Sequence, residues 1–167
     1  MDPRHAVWSE PIRIGPKILP NRFYQVPHAS GFGAAQPQTQ AAFRSIKAEG
    51  SWGGVCVEYA PVSHDSEETP AVAALLWDTK DAEALRVTVE AVHEHGSLVG
   101  LELFHGGAHS PNGESRAARI VPSQVASSVE WASLAKEMDL TDIRRVQQEW
   151  VEAARRARDV GFDIVYV

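Results

Sequence analysis

Ala48-Glu49-Gly50 runs into Gly54-Val55-Cys56-Val57-Glu58-Tyr59, Glu94-His95-Gly96 into Leu98-Val99-Gly100-Leu101-Glu102-Leu103, and Asp159-Val160-Gly161 into Phe162-Asp163-Ile164-Val165-Tyr166-Val167. Each stretch is the same unit: the tail of a helical segment, a glycine, and an apolar strand almost at once. Glycine just past a helix takes the left-handed conformation that closes it without steric cost. A short link into a run rich in β-branched residues is the helix-to-strand connection of an α/β protein. A left-handed glycine is therefore expected at each closure: Gly50, Gly96 and Gly161.

Working outward, periodicity marks the helices that precede these glycines. From Thr141 as N-cap, Ile143, Val146, Trp150, Val151 and Ala154 fall on one face, with Arg144, Arg145, Gln148, Glu152 and Arg155 on most of the other. Asp78 or Thr79 opens a second helix through His95, with Leu85, Val89 and Val92 inward. Pro37 starts a shorter one through Gly50, anchored by Phe43 and Ile46. A first strand is expected over 22–26. Before it, Ile12-Arg-Ile-Gly-Pro-Lys-Ile18 alternates about a Gly-Pro turn as a small hairpin.

Strands alternating with helices imply a parallel sheet with right-handed crossovers. Two folds compete. A doubly wound sheet wants a phosphate-binding glycine pattern after its first strand. His28-Ala-Ser-Gly-Phe-Gly33 has G-x-G, but the third glycine is missing and no helix starts there. A (β/α)8 barrel better explains long, varied loops after the strands' C-terminal ends. The expected fold is thus the N-terminal half of a TIM barrel, four strands behind a β-hairpin, occupying 1–167. Stopping on an emerging strand leaves two open parallel edges, so the chain is expected to be an incomplete barrel, with a self-associating half barrel as the alternative.

Composition narrows the functional classes. With 167 residues, 44% hydrophobic and 23% charged, the chain is one ordinary globular domain in size and make-up. No run approaches the roughly 20 apolar residues of a membrane helix. Arg4, His5 and Glu10 interrupt any secretory apolar segment at the N-terminus. A formal charge of −6 argues against broad nucleic-acid binding. One cysteine, Cys56, allows no internal disulfide and fits a reducing cytoplasm.

In a barrel the active site is built at strand C-termini and in the loops after them. Those positions are Gln25, Pro27, His28 and Ala29; then Glu58, Tyr59 and Ala60; then Glu102, Phe104, His105, Gly106, Gly107, Ala108 and His109. Glu102 sits inside an otherwise apolar strand, and a buried carboxylate is costly unless it meets a partner, a ligand or a proton. An ion pair closing the barrel would answer that need as well as a ligand would, and the same choice stands open for Glu58. Tyr59 is either a packing residue with a wet hydroxyl or an aromatic wall for a cationic amine. His105 and His109 lie in a Gly-Gly turn rather than on a helix face, and no third ligand is placed, so no metal site is expected. His64, His93 and His95 are expected to be solvated. By residues alone, the chain is an α/β-barrel enzyme with an undefined site.

Several stretches resemble the old yellow enzyme-like NADH:flavin oxidoreductase family, in particular its trimethylamine, dimethylamine and histamine dehydrogenase branch. They are Glu10-Pro-Ile-Arg-Ile-Gly-Pro-Lys17, Pro20-Asn-Arg-Phe-Tyr-Gln-Val-Pro-His28, Val57-Glu-Tyr59, Gly100-Leu-Glu-Leu-Phe-His-Gly-Gly-Ala-His109, Asn112-Gly-Glu-Ser-Arg116, Pro122-Ser123, Lys136-Glu-Met-Asp-Leu140 and Gly161-Phe-Asp-Ile-Val-Tyr166. The resemblance implies an FMN at the barrel mouth. Val26, Pro27, His28 and Ala29 would run along the isoalloxazine, and the backbone of Ala60 would pass near it. Glu102 matches a position, often glutamine, that bonds the flavin pyrimidine edge. Tyr59 matches an aromatic residue of the bowl that holds alkylammonium substrates, and His105 is placed with it as substrate-binding.

One departure matters. In the amine dehydrogenases a cysteine after Val-Pro-His attaches the flavin, and here that position is Ala29. The expectation is therefore non-covalent FMN and a small-molecule substrate, with an electron-transfer partner or NAD(P)H. This leaves room for an NAD(P)H-dependent ene or dienoyl-CoA reductase on the same barrel, or a non-catalytic half-barrel scaffold. The family's catalytic Tyr/His pair and phosphate-binding loops would follow Val167, and so would any 4Fe-4S cluster or second nucleotide. The 167 residues alone are expected to be inactive, and the full-length protein to be a homo-oligomer.

Overall fold

A computed structural model of the chain describes residues 2–67, 74–113, 115–124 and 134–167. Within the quoted motif 112–116, Glu114 lies outside the described residues. After a 3-10 turn over Pro3–Ser9, β1 (Ile12–Ile14) and β2 (Lys17–Leu19) form the antiparallel hairpin. Then follow β3 (Tyr24–Gln25), α1 (Pro37–Glu49), β4 (Gly54–Pro61), α2 (Thr79–His93) and β5 (Leu98–Phe104). Two short strands, β6 (Ile120–Val121) and β7 (Lys136–Glu137), precede α3 (Leu140–Val160) and β8 (Ile164–Tyr166).

The main sheet is parallel, in the order β3-β4-β5-β8. Its spatial order follows the chain without a reversal. A doubly wound sheet reverses at a switch point, whereas a barrel winds in one sense throughout. The architecture is the N-terminal half of a (β/α)8 barrel behind a β-hairpin. α1 packs on α2 and α2 on α3 as one helical layer. Between layer and sheet lies the core, built from Val55, Val57, Val99 and Leu101 of the strands, Leu85, Val89 and Val92 of α2, and Ala153, Ala157 and Val160 of α3.

Several local expectations are corrected. Gly96 and Gly161 have φ of 74° and 111°, but Gly50 stays at −69° and Ser51 carries the left-handed turn at 69°. α3 is capped by Asp139, whose carboxylate accepts from the N–H groups of Thr141 and Asp142, rather than by Thr141. Its buried face is Ala153, Ala157 and Val160 with Trp150 beside them, while Ile143 and Val151 face solvent. Small residues win because α3 lies close to its neighbours. In α1, Ile46 is 66% exposed, and polar Gln40 and Arg44 are buried alongside Ala41 and Ala48. The first strand pairs only over Tyr24–Gln25, and β6 pairs parallel with β7 where a plain loop was expected.

The three histidines expected in solvent are exposed, and each also has a partner. His64 stacks on Trp77 with ring centroids 4.1 Å apart, and His95 Nε2 lies 3.0 Å from Ser45 Oγ. His93 Nε2 meets Asp163 Oδ2 at 2.7 Å. That carboxylate, 4% exposed, also pairs with Lys17 Nζ at 2.7 Å and accepts the Val99 N–H at 3.0 Å. One side chain thus ties together the hairpin, the end of α2 and the starts of β5 and β8.

Candidate active site

The inner face of the sheet is ordered by strand register. Cys56 stands opposite Gly100, which stands opposite Ile164. Tyr24 crosses this level from β3, its hydroxyl and the Cys56 thiol both lying against Gly100. It fits only because residue 100 is glycine: a Cβ there would run into the tyrosine hydroxyl. Burial pushes the Cys56 thiol up to about 11 and raises the Tyr24 hydroxyl well above its ordinary range.

One level higher, a bulge decides which side chains meet. Between Cys56 and Tyr59, β4 advances by one residue more than β5 does from Gly100 to Glu102. Register partners in a parallel pair project to the same side, and without the bulge Glu58 would stand beside Glu102. The extra residue instead aligns Tyr59 with Glu102, and Glu102 with Tyr166 of β8. Two carboxylates are kept apart, and a tyrosine takes the neighbouring place. No signal for this bulge is visible in the sequence.

The two glutamates have different fates. Glu58 is wholly buried and turns toward α1, where Oε2 accepts from the Ser30 N–H at 2.9 Å and Oε1 from Gln40 Nε2 at 3.1 Å. Arg44 Nη2 lies 3.8 Å from its carboxylate. Glu58 is therefore part of the scaffold. Glu102 is partly buried, and no described residue hydrogen-bonds or pairs with its carboxylate. Burial raises its proton affinity. Among the described residues, no ion pair closes the sheet at this point.

The remaining candidates lie at or just after the C-terminal ends of β3, β4 and β5. Tyr59 packs on Phe104, with centroids 5.0 Å apart. In the loop after β3, Val26 and His28 are exposed and Pro27 and Ala29 are partly covered. Ala60 is fully buried, so its backbone meets a ring only where its present cover gives way. His105 Nδ1 accepts the Gly107 N–H at 3.1 Å, while its buried Nε2 makes no hydrogen bond among the described residues and lies 3.6 Å from Asp65 Oδ1. Burial opposes the charge on Asp65, but the neighbouring His105, Arg145 and Ser63 overcome it and hold the carboxyl far below its usual range. His109 is exposed. Among the described residues no three His, Cys, Asp or Glu side chains gather as a metal site, and no helix is long and apolar enough to cross a membrane.

Beside Glu102 the sheet ends at β8, an edge strand. A cavity of about 470 Å³ lies between the loop after β4 and α3, against Asp65, Trp77, Arg145 and Glu149. None of Tyr59, Glu102 or His105 lines it.

The model of the NADH:flavin oxidoreductase / NADH oxidase family matches residues 9–167. The chain belongs to that family. A dimethylamine dehydrogenase from Hyphomicrobium is 44% identical over 99% of the chain and 23% of its own length. The solved histamine dehydrogenase from Rhizobium is 37% identical with a TM-score of 0.93, over 99% of this chain and 26% of that one. A 6-hydroxypseudooxynicotine amine oxidase from Pseudomonas geniculata is 38% identical with a TM-score of 0.95, over 99% and 25%. The chain spans about a quarter of the length of these family members. Family membership makes it part of an FMN-dependent oxidoreductase lineage.

Proposed function

We propose that residues 1–167 form the first half of the FMN-binding barrel domain of an amine dehydrogenase, with the flavin held non-covalently. The observation that carries the reading is Glu102, a partly buried carboxyl on the inner face with no partner among the described residues and a raised proton affinity. A protonated glutamate offers one donor and one acceptor, as glutamine does, and this suits the mixed edge of a flavin pyrimidine ring. Val26, Pro27, His28, Ala29 and the backbone of Ala60 would complete this side of the cradle. FMN supplies the acceptor for a hydride or electron pair.

The substrate would be a small alkylamine. Tyr59, beside Glu102 in register, offers its ring to the ammonium group by cation–π attraction. His105, its Nδ1 held by the Gly107 N–H and its buried Nε2 without a hydrogen bond among the described residues, would stand beside the substrate. Ala29 has no sulfur to bond the flavin, which supports non-covalent binding. The same observation favours a second reading, an ene reductase on this barrel that takes its electrons from NAD(P)H. The proposed chemistry needs the residues that the longer relatives place beyond this region, so these 167 residues alone are proposed to be inactive.

Purified at its full natural length, the protein should be yellow, and denaturation should release the flavin. Anaerobic bleaching by dimethylamine or trimethylamine supports the dehydrogenase, and bleaching by NADPH supports the reductase. A protein that stays colourless after FMN supplementation refutes both. Colour that remains bound through denaturation refutes the argument from Ala29.

A further inference from the structure

We propose that Arg44 and Glu58, with Gln40, are positioning residues that clamp the backbone on both sides of Ala29 and so set the edge that segment 26–29 presents. The proposal rests on the flavin reading of that segment. Between β3 and the turn at Phe32, residues 26–31 have no regular structure and, among the described residues, make no backbone–backbone hydrogen bond outside the β3 ladder. Apart from local bonds from Gln25 Nε2 to the Val26 carbonyl and from the Phe32 N–H to Ser30 Oγ, the hydrogen bonds that hold them come from α1 and β4. Arg44 Nη1 donates to Gln25 Oε1 at 3.1 Å, and Nη2 donates to the His28 carbonyl. On the far side of Ala29, Ser30 donates its N–H to Glu58 Oε2 at 2.9 Å and its hydroxyl to Gln40 Oε1 at 2.7 Å.

The direction of these bonds separates a clamp from a simple brace. Residues that only fastened α1 to the sheet would bond mainly to helix and strand groups. Here three contacts, Arg44–Glu58, Gln40–Glu58 and Arg44–Gln25, fasten α1 to β4 and β3, and the four remaining hydrogen bonds of the network all go to His28 and Ser30 of the irregular segment. Arg44, Glu58 and Gln40 are essentially without solvent exposure. Apolar side chains of similar volume serve stability as well as a buried ion pair does. A charged, forked network adds a fixed geometry for the groups it bonds, and those groups flank one residue. The arrangement was missed from sequence because it needs polar residues, Gln40 and Arg44 four apart, on the buried face of a helix.

The test uses the protein at its full natural length, with Arg44 and Glu58 both changed to Met so that no lone buried charge remains, and with Arg44→Lys as the milder variant. Hydrogen exchange of the peptide spanning 26–31 should quicken about tenfold, as expected when net hydrogen bonds are lost, while the α1 and β4 peptides keep their protection. FMN should bind about tenfold more weakly, with a shifted visible band, and Arg44→Lys should restore part of both. Unchanged exchange at 26–31, or unchanged flavin affinity and spectrum in a folded double variant, overturns the clamp. If the double variant fails to fold, the same readouts in Arg44→Lys decide. A wild-type protein that takes up no FMN refutes the flavin reading itself, and the exchange experiment still judges the clamp.

Discussion

Glu102 and Glu58 look alike in the sequence, each an acid inside an apolar strand, and the structure sends them to opposite faces. From this we expect Glu102→Gln to keep or tighten FMN binding and to remove its pH dependence, since the amide supplies the same donor and acceptor at any pH. Glu102→Ala should weaken binding by about tenfold, the equivalent of one or two hydrogen bonds. Flavin fluorescence titration against pH measures both. For Tyr59, replacement by Ala should raise the amine KM several-fold, in line with a cation–π contribution of about 1 kcal/mol, while Phe retains it. Equal effects of Ala and Phe would point to the hydroxyl instead. Cys56, buried and raised to about 11, should resist alkylation at neutral pH until the protein unfolds. The demand that Glu102 meet a partner was legible in the sequence; the separate fate of Glu58 was not, because a one-residue bulge controls it.

At the scale of elements, α2 was the most legible, with Leu85, Val89 and Val92 all in the core. α3 was less so. Its large apolar residues suggested a face, but alanines fill the close contact with the sheet and Ile143 and Val151 are left outside. Periodicity locates a stripe only to within the width that packing allows. The link at Asp163 carries a prediction of its own. Burial alone would raise this carboxyl, but Lys17, the Val99 N–H and His93 bring it below its ordinary value. With the folded-state pKa depressed, its stabilisation is complete above the unfolded value near 3.9 and is lost as pH falls through the folded value. Asp163→Asn should therefore lower stability at neutral pH by about 1–3 kcal/mol and blunt the loss of stability on acidification. Urea unfolding at neutral and acid pH tests this, and parallel acid profiles for variant and wild type would contradict it.

The whole molecule presents a parallel sheet with β3 and β8 as its edges. β8 is covered only in part, with Ile164 and Val165 half-buried and Tyr166 53% exposed. Such an edge pairs readily with another strand. These 167 residues, expressed alone, should elute from a sizing column as self-associated or aggregated material, and a monodisperse, folded monomer would contradict that expectation. The winding itself was legible from the three helix–glycine–strand units, even though only two of the three glycines adopt the conformation that made them noticeable. The mouth was less legible, since its shape depends on side chains that reach across from other elements.

Asp163 also sets a timetable for synthesis. Lys17, His93 and the Val99 amide leave the ribosome well before the carboxylate that joins them. Until it emerges, the hairpin made first has no common partner with the end of α2. A nascent chain paused short of Asp163 would therefore hold its hairpin through packing such as Leu19 against Gly54, without the link to the end of α2.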